Sequence, residues 1–193
     1  MKTKELKEII KTRWIGGKLF FREETDSTIT WAKEAAKNSK DMELNGALFL
    51  ADTQTGGKGR IGRVWNSPPK ENIYMNLLLM KPEILPVHAS SLTLVMGLAV
   101  AKAAEELTGK PVGIKWPNDV VMSGKKICGI LTEMRVLNTM PEYITIGVGI
   151  NVNQREFPPE LQDKATSLFL ETEQEQSRAA VAARTMEYFE EYY

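Results

Sequence analysis

The sequence predicts an α+β fold: a mixed β-sheet flanked by helices. Three observations carry this reading. Apolar runs bounded by turn residues, GALFLADT at 46–53 and NIYMNLLLM at 72–80, read as buried strands. Ser123-Gly124 is a tight-turn signal between two strand-like segments, so some neighbouring strands are joined as hairpins. Helical stretches fall irregularly between the strands, which disfavours a strictly alternating parallel sheet.

The elements follow in order. Leu6, Ile9 and Ile10 lie at helical spacing, predicting a short amphipathic helix over 3–13. Lys18 to Glu23 reads as a strand. Asp26, Ser27 and Thr28 then offer capping side chains for a helix through Trp31 and Ala35. After the strands at 46–53 and 72–80, a long helix is predicted over 88–108, stopped by Gly109 and Pro111, with His88 capping or packing at its start. Short strands around 112–116 and 119–122 lead through Ser123-Gly124 into strands at 126–134 and 142–152, and an amphipathic helix covers 174–193.

Composition removes whole classes of function. The chain has 193 residues, enough for one domain or one and a half. Twenty-five basic residues balance 25 acidic ones, which argues against gripping nucleic acid through bulk positive charge. One Cys excludes an internal disulfide framework, and one His (His88) excludes multi-histidine metal sites. The longest nearly uncharged apolar stretch, Ala89 to Ala101, falls short of the ~18 residues a bilayer requires. No signal-peptide core precedes Trp14, so a cytoplasmic location is expected, with no membrane association. The neutral total nevertheless hides segregation. Residues 1–22 carry seven basic and two acidic groups, whereas the stretch from Arg155 onward carries nine acidic and four basic ones.

The densest cluster is TGGKGRIGRVW at 55–65. Gly57, Gly59 and Gly62 satisfy G-x-G-x-x-G after a predicted strand, but Arg63-Val64-Trp65-Asn66-Ser67-Pro68-Pro69 cannot open a regular helix, so the dinucleotide-binding reading fails. Arg63-Val64 also stands where an ATPase phosphate loop needs Lys-Ser or Lys-Thr. What remains is a long flexible basic loop whose Lys58, Arg60 and Arg63 can meet carboxylate or phosphate oxygens. Downstream, Lys115-Trp116-Pro117-Asn118-Asp119 puts two oxygen ligands at a turn. That suits Mg²⁺ held by one or two carboxylates together with substrate phosphates, or simply an Asx-turn closing a strand. Lys126 enters an apolar strand, a costly position unless it meets an anion; Cys128 in the same run reads as a small core residue.

Taken together, DST at 26–28, QTGGKGRIGR-W at 54–65, KWPND at 115–119, KKICGIL at 125–131 and GVGIN at 147–151 resemble the biotin protein ligases. The resemblance covers about residues 18–190 and implies a fold related to class II aminoacyl-tRNA synthetases and lipoate ligases. It also implies two steps: biotin and ATP give biotinyl-5′-AMP, and the biotinyl group passes to a lysine of a carboxylase's biotin carboxyl carrier domain. By motif, Ser27, Thr28 and Gln54 would bind biotin, with Gly57, Lys58, Gly59 and Arg60 closing over biotin and adenylate. Lys126 and Arg60 would be the catalytic residues. Asn118, Asp119, Arg60, Arg63, Trp65 and Asn151 would serve ATP, Asp119 with Mg²⁺, while Gly129, Gly147 and Gly149 would keep the biotin pocket wall low. Ile29 stands where the family usually has Asn, and Lys58 where it usually has Arg, which keeps charge but loses bidentate geometry.

The same resemblance implies an N-terminal helix or linker at 1–17 and a catalytic domain at 18–193, without the family's small C-terminal β domain or a winged-helix domain. DNA binding by this chain is therefore not expected. A homodimer through a sheet edge, with the strand near 142–150 as candidate, is compatible with it. Two alternative functions are a biotin or biotinyl-adenylate sensor core with impaired transfer, and a relative of the lipoate ligases.

Overall fold

The structure, a computed structural model, describes residues 3–39 and 42–193. Residues 1–2 of the expected N-terminal segment lie outside that range. The chain runs α1 (Thr3–Ile9), β1 (Leu19–Thr25), α2 (Thr28–Asn38), β2 (Ala47–Gln54), β3 (Ile73–Met80) and α3 (Ser91–Thr108). It continues with β4 (Gly113–Lys115), β5 (Asp119–Met122), β6 (Lys125–Leu137), β7 (Met140–Ile150), α4 (Leu168–Thr172) and α5 (Arg178–Tyr192). Seven strands form one sheet in the order β1-β2-β3-β7-β6-β5-β4. Only β1 and β2 pair in parallel, so the sheet is mixed, as expected.

The continuous apolar runs of β2 and β3 have a direct cause: both sheet faces are covered, so inward and outward positions alike are buried. Leu48, Leu50, Met75, Leu77 and Leu79 join the core beneath α3 and α5, to which α1 and the following turn add Leu6 and Ile15. On the opposite face, Ala47, Phe49, Leu78 and Tyr143 pack against α2, where Ala32 and Ala36 allow close approach. Within Pro86–Thr108 an 18-residue stretch reaches a mean hydropathy of 1.4, long and apolar enough by length and composition to cross a membrane, which revises the shorter span read from sequence. Half of it is buried in the protein, with Leu92, Met96, Ala99 and Val100 in the core, so packing accounts for its apolarity. His88 neither caps nor packs; it is exposed in the turn before Ser90, which sits at the N-cap of α3.

One expectation is overturned by the strand order. β7 lies between β3 and β6 and is hydrogen-bonded on both sides, so 142–150 is no sheet edge and cannot pair with a second copy as one. The edges are β1 and β4.

Two carboxylates of α5 tie down the segment after α1, the first being Glu187, which accepts from the Lys11 amide at 2.8 Å. Glu190 accepts from the backbone amides of Arg13 at 2.6 Å, Trp14 at 3.0 Å and Ile15 at 3.0 Å. Burial alone would raise this carboxyl, but the three amides hold it below its ordinary value. Its contribution is therefore present above the unfolded carboxylate range and lost as pH falls through the depressed folded value. Glu190→Ala is expected to lower unfolding free energy by ~1–2 kcal/mol at pH 7, a difference that shrinks at acidic pH in chemical denaturation. A deficit unchanged at low pH would contradict this role.

Candidate ligand site

The site forms where β1, β2, β6 and β7 end beneath the 55–65 loop. Parallel pairing of Thr25 with Gln54 brings the end of β2 beside the turn into α2. Gln54 Oε1 accepts from the Thr28 amide at 2.9 Å and the Thr28 hydroxyl at 3.1 Å, and its Nε2 donates to Ser67 Oγ at 3.1 Å. Ser27 caps α2, its Oγ accepting from Ile29 N at 3.3 Å. Ser27, Thr28 and Gln54 thus form one polar wall of a narrow cavity.

The loop above is a small folded hairpin rather than an extended segment. Trp65 N donates to Gly57 O at 2.9 Å, Gly59 N donates to Arg63 O at 2.7 Å, and Lys58 bridges Val64. At its tip Ile61 adopts φ 56°, ψ 44° and is 90% exposed, an unfavourable conformation for a β-branched residue. Lys58 Nζ donates to Thr30 Oγ1 at 2.9 Å, and Arg60 Nη1 donates to Asn118 Oδ1 at 2.8 Å, so the loop is pinned on both flanks. Arg63 is exposed, facing a second cavity on the far side of the loop.

Glycines shape the floor. Gly129 and Gly149 are register partners on β6 and β7, and the Trp65 indole lies across them. A Cβ would sit 2.7 Å from the ring at Gly129 and 2.4 Å at Gly149, and at Gly147 it would fall 2.5 Å from the buried Ile29 side chain. At Gly57 it would fall 2.4 Å from Trp65 O. Trp65 Nε1 is buried and has no hydrogen-bond partner among the described residues, a donor available to a ligand acceptor.

The anion that Lys126 was expected to meet is Asp119. Nζ lies 2.7 Å from Asp119 Oδ1, the two side chains being 31% and 26% exposed, and 5.2 Å from the centre of the Trp65 ring. A register shift at Val120/Val121 in the β5–β6 pairing accompanies this encounter. The backbone of Lys126 is clamped as well: its N–H donates to Lys164 O at 2.8 Å and its carbonyl accepts from Thr166 N at 3.0 Å. Asn151 is buried and its Nδ2 donates to Thr166 O at 3.0 Å and toward Lys126 O at 3.5 Å, so this amide ties the two segments together. Cys128 is fully buried and its thiol is pushed up by burial, which fits a core residue and not a nucleophile.

Asn118 and Asp119 both engage protein partners, Arg60 and Lys126 respectively. Among the described residues no group of three His, Cys, Asp or Glu could hold a metal unaided. Mg²⁺ therefore fits here only in company with phosphate oxygens, Asp119 being the neighbouring carboxylate.

Lys58, Arg60 and Lys126 line the first cavity; the second, on the far side of Trp65, adds Asp119, Asn151 and Arg63. All sixteen residues singled out from sequence thus fall on these two adjoining cavities or on the loop that separates them. Sequence reading missed Phe157, Leu161 and Ala165, which line the second cavity from an irregular stretch. Tertiary contacts bring them there, among them the bridge between Lys126 and Ala165 and the backbone bonds of Lys126 to Lys164 and Thr166.

Comparison with known proteins agrees with this geometry. A profile described as the Biotin/lipoate A/B protein ligase family matches residues 22–151. The bifunctional ligase/repressor BirA of Bacillus subtilis is 39% identical over 191 residues, 98% of this chain and 58% of that protein. The biotin--[acetyl-CoA-carboxylase] ligase of Mycobacterium tuberculosis is 35% identical over 137 residues, 69% of this chain and 48% of its own length. Among solved structures, the biotin protein ligase from Aquifex aeolicus in complex with biotin and ATP superposes with a TM-score of 0.77 at 35% identity, covering 91% of this chain and 70% of that one. The chain thus spans little more than half the length of the Bacillus relative. With the mixed sheet, the glycine floor and the cationic loop in place, the chain belongs to the biotin/lipoate A/B protein ligase family.

Proposed function

We propose that this chain activates biotin with ATP and transfers the biotinyl group to a lysine of a carboxylase's carrier domain, in the cytoplasm. The observation that carries the reading is the convergence of Lys126, Arg60 and Lys58 on one narrow cavity whose other wall is the Thr28–Gln54 hydrogen-bond pair. Two anions, a carboxylate and an α-phosphate, would be brought together there. The carboxylate oxygen attacks phosphorus, the bond between the α- and β-phosphates breaks, and pyrophosphate leaves with its electron pair. The acceptor lysine amine then attacks the acyl carbon; AMP leaves and the amine's proton is lost to water. Neither step needs an enzyme nucleophile, consistent with a buried Cys128 and with a His88 that lines neither of the two cavities.

The work of this chain is alignment and charge neutralisation in a site screened from water. Lys126, held in place through its backbone, would bridge the carboxylate and α-phosphate oxygens. Arg60 would leave Asn118 for the adenylate. Asp119 would hold Mg²⁺, which supplies further neutralisation of the triphosphate. In this reading residues 18–193 carry the catalytic site, and the segment before them contributes packing through Leu6 and Ile15 but no site residue.

The test is incubation of the chain with MgATP, biotin and a carrier domain, reading pyrophosphate and carrier mass. Biotin-dependent pyrophosphate with a biotinylated carrier is expected; pyrophosphate without carrier labelling would favour a sensor role, and lipoate turnover in place of biotin would sink the reading. Arg60→Ala should release preformed biotinyl-5′-AMP about tenfold faster, the loss of one charge-assisted bond. An unchanged off-rate would count against the loop as a closing element.

A further inference from the structure

We propose that buried Asn72 and Gln154 are positioning residues for the nucleotide half of the site, an inference that rests on the biotin-activation reading above. The stretch from 152 to 167 is largely irregular yet supplies Phe157, Leu161 and Ala165 to the second cavity, and a wall without regular hydrogen bonding needs another anchor. Asn72, 1% exposed and immediately before β3, is one such anchor, beside the Lys126 clamp on Lys164 and Thr166. Its Oδ1 accepts from Val152 N at 2.9 Å, fixing the exit of β7, and its Nδ2 donates to Gln154 Oε1 at 2.6 Å.

Gln154, 4% exposed, relays the hold. Its Nε2 donates to Glu156 O at 2.8 Å, next to Phe157, and its own carbonyl accepts from Ser167 Oγ at 2.6 Å. Gln154 itself borders the second cavity, but both ends of its carboxamide are engaged within the protein, so it acts through the wall it braces. The anchor is itself held from below: Arg178 at the start of α5 donates to Asn72 O at 3.2 Å and to Asp52 Oδ1 at 2.9 Å. The biotin wall, Thr28 with Gln54, shares none of these bonds. Loosening the Asn72–Gln154 pair should thus weaken nucleotide binding selectively.

The experiment measures KM for ATP and for biotin separately by pyrophosphate release, using the full chain and Gln154→Met, which keeps length and apolar packing but removes both side-chain bonds. KM for ATP should rise about fivefold, the factor expected for one lost net hydrogen bond, while KM for biotin stays within about twofold. Gln154→Asn keeps a neutral carboxamide one methylene too short to reach both partners, so it should fall between wild type and Met, and it carries the test if the Met variant does not fold. Parallel changes in both KM values, or none, overturn the assignment. A wild-type chain with no biotin-dependent pyrophosphate release overturns the activation reading beneath it.

Discussion

Lys126→Ala lowers biotin-dependent pyrophosphate release by about 100-fold or more, the usual cost of removing one preorganised charge from a developing anion. The expectation follows from placement. Lys126 is anchored at its own backbone by Lys164 and Thr166, so its ammonium is held at the cavity instead of sampling solvent. The fold should survive, because the ion pair with Asp119 is about a quarter to a third exposed and water can take over the carboxylate. Partly exposed pairs contribute ~1 kcal/mol or less, which for a domain of this size corresponds to roughly 2–4 °C in Tm. Circular dichroism and thermal melts separate the two effects. Adenylation at the wild-type rate in a folded Lys126→Ala protein would show that the ammonium does not act at the reacting centre.

Gly149→Ala is the second large effect. The added methyl would lie 2.4 Å from Cε2 and 2.5 Å from Nε1 of Trp65, and the floor it would stand on is the Gly129–Gly149 pair. The indole must move, and because Trp65 N is bonded to Gly57 O the cationic loop moves with it. A displacement of about 1 Å at a site built on alignment costs on the order of 100-fold in kcat/KM. Gly113→Ala is the control, since a Cβ there meets only Val121 at 3.5 Å, and it should stay near wild type. Equal activity in both variants would mean that the glycine floor has no part in the reaction.

Much of this was legible from residue order, for reasons that can be named. β2 and β3 were read within one or two residues because doubly covered strands are apolar throughout. The start of α2 was readable because Ser27 is a side-chain cap. The last helix begins at Arg178, later than expected, because Glu173 takes a left-handed conformation and Ser177 restarts the chain as a cap; the five-residue α4 before it was too short to show periodicity. Beyond the β5–β6 hairpin strand order could not be read, hence the misplacement of 142–150 at an edge. The site divides in the same way. Lys126 and Asp119 were each identifiable, but that they meet depends on an irregular β5–β6 register. The folded hairpin at 57–65 rests on backbone bonds that no side-chain pattern encodes, and the Asn72–Gln154 brace joins residues 82 positions apart.

The most direct measurement is isotope exchange between labelled pyrophosphate and ATP, catalysed by the purified chain with Mg²⁺ and without any carrier. Exchange requires reversible formation of an enzyme-bound acyl-adenylate and nothing from a later step. If Lys126 and Arg60 align a carboxylate with an α-phosphate in this cavity, label enters ATP only when biotin is added, and Lys126→Ala abolishes the signal. Exchange that proceeds equally without biotin, or none with biotin present in a folded wild-type chain, would contradict the assignment of this site to carboxylate activation.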